Sequence, residues 1–101
     1  MFNSFVWPSW LTAPQCGDDP RNDEGRRRTR FLLRVAALHA SEEGTLSALS
    51  ELLGLARGTL PNYCARGDAV TPEMAFQIES LTGGVCLAYF FRPDVIPPPT
   101  A

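Results

Sequence analysis

"LGLARGTLPNYCARG", residues 53–67, decides how the rest of the chain is read. Gly54 stops the apolar run before it, Leu55 follows at the corner, and Leu60 and Tyr63 stand three apart before Gly67 closes the stretch. This spacing predicts a short helix with Leu60 and Tyr63 on one face and Arg57, Gly58, Pro61 and Asn62 on the other. Pro61 is the difficulty. If the helix begins at Arg57, the proline lacks the N–H that would bond the carbonyl of residue 57, and its ring crowds that carbonyl, at about 3 kcal/mol. If the first turn widens or becomes 3₁₀, Pro61 lies near a helix start, where its fixed φ is tolerated.

Immediately upstream, Thr45 is placed to cap a helix whose apolar face is Leu46, Leu49, Leu52 and Leu53. Two short helices joined by a tight glycine-containing turn make a helix-turn-helix pattern. Leu49 and Leu53 then face inward, Leu55 plugs the corner, and the outer face of the second helix is free to enter a DNA major groove.

Further from this centre, a helical pattern runs from Arg26 to about Ala40, with Phe31, Leu32, Val35, Ala36, Leu38 and His39 on one broad face. "SEEG" (41–44) connects it onward. "VTPEMAFQIESLTGG" (70–84) carries the clearest helix start: Thr71 as N-cap, Pro72 in the first turn, Glu73 near the positive dipole end, and Gly83 and Gly84 as the stop. Its stripe is Met74, Ala75, Ile78 and Leu81. "VCLAYFF" (85–91) suits a short helix or a strand, and "VIPPPTA" (95–101) reads as a polyproline-like tail. Residues 1–25 read as an extension, with Phe2, Phe5, Trp7 and Trp10 followed by the turn-rich "APQCGDDPRNDEG" (13–25). The expected organisation is an extension over 1–25, a domain over 26–94 and a tail over 95–101.

The 101 residues suffice for one small core. With 45% hydrophobic, 10% aromatic and 20% charged residues, the composition is globular. The net charge of −2 is unevenly spread. Residues 21–34 hold six arginines against Asp23 and Glu24, locally +4, while the remainder sets three arginines against nine carboxylates, −6. Such a split suits a basic face meeting an anion, or a solvated arginine-rich helix start. Cys16, Cys64 and Cys86 form no C-x-x-C pair, and a single histidine, His39, leaves no zinc site at usual spacings. An odd cysteine count without a framework fits a reducing compartment, so a cytoplasmic location is expected. No secretory signal and no membrane span is read. No Ser/His/Asp set, phosphate loop or paired carboxylates stand out, so neither an enzyme nor a cofactor is expected.

Three segments, "LSALSELLGLARGTLPNYCARG" (46–67), "VTPEMAFQIESLTGG" (70–84) and "RPD" (92–94), make residues 45–94 resemble the YdaS-like branch of the Cro family of bacterial and phage transcriptional regulators. The resemblance implies an all-α fold, a compact bundle of about five short helices with a Cro/lambda-repressor-like helix-turn-helix, in which 85–91 is a short helix. It also implies sequence-specific binding of double-stranded operator DNA as a homodimer. Some relatives are described as antitoxins, which brings in a toxin partner. Two positions depart from the family pattern: Ala56 replaces a small polar cap, and Pro61 replaces a polar residue such as serine.

On this reading Arg57 pairs with guanine or is simply solvated, and Asn62 pairs with adenine or is a helix-surface residue, with Gly58 beside them on the groove-facing side. Thr45, Ser47, Thr59 and Arg66 are placed for phosphate contacts, the alternative being capping and solubility. Arg26, Arg27, Arg28 and Arg30 are placed to lie along a phosphate backbone. Tyr63 and Cys64 read as packing residues. Phe2, Phe5, Trp7 and Trp10 form a partner site or dimer arm, fold back over the core, or precede a later translation start. A second function class stays open: a helix-turn-helix scaffold serving as a protein-binding module, suggested by the acidic balance, Pro61 and the aromatic arm.

Overall fold

In the computed structural model, which describes residues 6–99, Asn22 opens the first helix: its side chain accepts the Gly25 N–H at 2.7 Å, with Asp23 and Glu24 in the first turn. Helix α1 spans Asp23–Ala40. It therefore starts three residues before the arginine run, and the expected boundary at 25–26 falls inside it. The "NDE" that reads as a breaker is the helix cap. Gly25 sits where a Cβ would come within 2.6 Å of the Asp19–Pro20 backbone, so only glycine lets the incoming chain pass this close.

Four helices follow: α2 (Leu46–Leu52), α3 (Thr59–Arg66), α4 (Pro72–Leu81) and α5 (Ala88–Phe91). No strand occurs among the described residues, and 85–91 contains a short helix, as the resemblance implies. Thr45 and Thr71 cap α2 and α4, accepting the N–H groups of Ala48 and Met74. Gly54, at φ +77°, turns the chain out of α2 in the left-handed region.

Helix α1 contacts each of the others. Leu32, Leu33, Ala36 and Ala37 form its buried face and meet Leu49, Leu60, Ile78 and Phe91 in a single core. Three expected core leucines lie elsewhere. Leu38 is 70% exposed because it stands one 100° step beyond Ala37, and Leu52 is 47% exposed because α2 turns Leu49 and Leu53 inward instead. Leu81, expected in the α4 stripe, is also exposed. Cys86 is buried, its thiol pushed up to about 12 by burial alone, so it behaves as a small core residue; Cys64 is half-buried.

The segment before α1 is strapped to the bundle. Leu11 is buried, and Trp7 packs edge-on against Phe90 at 5.1 Å and tilted against Phe31 at 6.3 Å. Thr12 donates its N–H to Glu24 and accepts from Arg28, and the Gly17 N–H reaches the Pro93 carbonyl at 2.8 Å. At the other end Ile96 is buried, so the tail joins the core beyond residue 94.

Candidate functional site

The α2–α3 pair is held by one buried hydroxyl. Ser50 Oγ donates to the Leu46 carbonyl at 2.9 Å within α2 and accepts the Leu60 N–H of α3 at 3.0 Å. Gly58, in the N-cap position of α3, provides no side-chain cap, so Ser50 supplies from a neighbouring helix the acceptor that α3 lacks locally. In the sequence the only trace of this is a serine beside Leu49 in an otherwise leucine-rich stretch.

The start of α3 also explains Pro61. Residues 56–58 form a turn, with the Thr59 N–H bonded to the Ala56 carbonyl at 3.0 Å, and the helix proper begins at Thr59. Pro61 is its third residue, where an N–H would have no intrahelical partner. The first α-helical bond into this turn is Asn62 N–H to Gly58 at 3.0 Å, one residue past the proline.

Leu60 is buried and Tyr63 half-buried against the core, while Asn62, Ala65 and Arg66 are exposed and Thr59 is half-exposed. Arg57 precedes the helix. Its guanidinium bonds Glu51 at 2.6 Å and Glu43 at 3.1 Å, and the two carboxylates push its pKa up. Arg66 pairs with Asp68 at 2.8 Å. The Thr45 hydroxyl is engaged twice, accepting from Ala48 and donating to Glu43, and Ser47 is half-buried on α2.

The four arginines expected to act together have different surroundings. Arg26 is exposed and lies over Gly67, the C-cap of α3, and Arg30 is half-buried. Arg27 is exposed beside Glu24 at 3.5 Å. Arg28, expected along a phosphate backbone, lies inside instead: only 4% exposed, it donates from Nε to the Thr12 carbonyl and faces Asp18, so it holds the N-terminal segment and presents nothing to solvent. The reason is angular, since residue 28 falls with 25, 29 and 32 on the inward face of α1. Of the aromatic candidates, Trp7 is half-buried as described, and Trp10 is exposed with its edge on Phe31 at 5.6 Å. Phe2 and Phe5 lie outside the described residues.

Arg92, in the "RPD" segment, is a structural residue. It forms a two-point pair with Asp94 at 3.1 and 3.0 Å and donates to the Val70 carbonyl at 3.0 Å, joining the end of α5 to the approach of α4. Among the described residues, no three His, Cys, Asp or Glu side chains gather as a metal site, and no helix is long and apolar enough to cross a membrane.

What the fold and this site define is an all-helical bundle presenting a short, tertiary-capped helix. No family model, no curated protein and no solved structure matches the chain.

Proposed function

We propose that this protein is a sequence-specific DNA-binding transcriptional regulator of the Cro-like kind its sequence resembles, reading operator DNA through α3 as a cytoplasmic homodimer. In this reading α2 and α3 are a helix-turn-helix. The observation that carries it is the presentation of α3: Leu60 and Ser50 anchor one side, and Thr59, Asn62 and Arg66 are left on the other. Pro61 does not weaken the reading, because it occupies a first-turn position. Asn62 is the residue best placed to read a base, through adenine N6 and N7. Asn62→Ala should weaken binding to the preferred fragment of its own upstream DNA by about 1–3 kcal/mol and hardly affect random DNA. Wild-type preference for one fragment of about 10³-fold over random DNA supports the reading, and uniform, fully salt-sensitive binding to every fragment rejects it.

A second reading rests on Arg57. With Glu43 and Glu51 on its guanidinium, the approach to α3 is acidic, and Leu52, Phe76 and Leu81 line a shallow apolar groove nearby. Both features suit a protein-binding module, such as an anti-regulator or an antitoxin facing a toxin. Glu43→Gln with Glu51→Gln separates the two readings: releasing Arg57 should strengthen DNA binding by a regulator and weaken partner binding by a module.

A further inference from the structure

Six of the nine arginines have a carboxylate partner: Arg21, Arg27, Arg28, Arg57, Arg66 and Arg92. The three that form no ion pair among the described residues are Arg26, Arg30 and Arg34, and they stand four apart on α1. A row of this kind spans about 12 Å of helix axis, with neighbouring Cβ atoms about 6 Å apart. Like charges at that spacing repel each other and destabilise the helix. In a chain with eleven carboxylates, most of whose arginines are paired, this row has no ion pair among the described residues.

The row borders α3. A Cβ on Gly67 would lie 2.9 Å from Arg26 Cδ, so Arg26 rests on the end of that helix. Arg30 and Arg34 follow Arg26 at four-residue steps along α1, and the charge of both acts on the half-buried Cys64 thiol in the C-terminal half of α3, drawing down a pKa that burial pushes up. The surroundings of α3 therefore differ between its two ends. Carboxylates of Glu43 and Glu51 stand at its N-terminal approach, and Arg26, with no ion pair among the described residues, lies against its C-terminal end at the head of the arginine row.

We propose that Arg26, Arg30 and Arg34 form a rail for one sugar-phosphate strand of duplex DNA, seating the duplex against the C-terminal half of α3 and away from Glu43 and Glu51. The proposal rests on the DNA-binding reading of α3. A strand presents a phosphate about every 3.4 Å of helix axis, so the rail is long enough to meet several. Half-burial of Arg30 lowers the local dielectric and strengthens its attraction to an anion. Arg34 belongs to this surface although neither family resemblance nor helix-turn-helix spacing singles it out, and Arg28 leaves it.

The test is fluorescence anisotropy of the full chain on a random-sequence duplex of about 20 base pairs, titrated between about 50 and 200 mM salt. The triple variant Arg26→Gln, Arg30→Gln, Arg34→Gln should lower the log–log salt slope by about 2.7, and the exposed single change Arg34→Gln by about 0.9. Arg21→Gln, the same loss of charge away from the rail, should leave it unchanged. Circular dichroism verifies folding, and if the triple variant is unfolded the single one decides. An unchanged slope in folded variants, or an equal fall for Arg21→Gln, overturns the rail. Tighter binding of polyglutamate than of duplex overturns it in favour of an acidic protein partner. If no upstream fragment outcompetes random DNA while the rail variants still flatten the slope, the reading of α3 fails and the rail stands.

Discussion

Ser50 and Pro61 together set where α3 begins. Ser50 satisfies the Leu60 N–H inside the core, and Pro61 removes a donor that the next position would otherwise leave unpaired. Ser50→Ala strands a buried N–H and should lower stability by about 1–3 kcal/mol in a denaturant titration, with no change in charge or surface. Pro61→Ser should be neutral or destabilise by up to about 1 kcal/mol, because the proline only limits the unfolded chain here. Had the proline broken an interior bond, the same change would raise stability by about 3 kcal/mol, so a thermal melt separates the two cases.

Helices α3 and α5 share a device at the scale of the element. Neither has a side-chain cap of its own, and each receives one from the helix before it: Ser50 of α2 serves α3, and Glu79 of α4 accepts the Ala88 N–H at 2.7 Å. The far end of α5 is fixed by Arg92 and Asp94. The Arg92 hydrogen bonds hold the Asp94 carboxyl below its usual range, against the opposing effect of burial. A carboxylate with a depressed folded pKa contributes stability that is complete above its unfolded value, about 3.9, and is lost as pH falls through the folded one. Asp94→Ala should therefore cost about 1.5–3 kcal/mol near neutral pH. The gap between variant and wild-type melting temperatures should stay constant down to about pH 5 and close below about pH 4.

For the molecule as a whole, the segment before α1 is part of the fold. A radius of gyration of 12.5 Å is that of a compact domain, about 13 Å for 100 residues. Trp7 packs on Phe31 of α1 and Phe90 of α5, Leu11 is buried, and Arg28 is buried with the Thr12 carbonyl of this strap as its partner. Removing residues 1–12 should cost about 3 kcal/mol in lost apolar burial and aromatic contact. In a domain of this size that lowers the melting temperature by about 12–24 °C, measured by calorimetry. An unchanged melting temperature would mean that the strap contributes nothing to the core.

Helix positions were legible in the sequence where the signal is local. Thr45 and Thr71 as caps, Pro72 in a first turn, Gly54, Gly67 and Gly83 as stops, and the Leu49–Leu53–Leu60 spacing each act within one or two turns of chain, so their spacing alone specifies them. The positive charge gathered over residues 21–34 was equally legible. Which arginines keep a partner was not, because helical angle and distant groups decide it: Thr12 and Asp18 take Arg28, Glu43 and Glu51 take Arg57, and Arg26, Arg30 and Arg34 form no ion pair among the described residues. The same holds for the caps from Ser50 and Glu79 and for the strap carrying Trp7. Each joins groups brought together only when the bundle closes, and a hydrogen bond or aromatic contact between residues nine to eighty-three positions apart leaves no periodic mark along the chain.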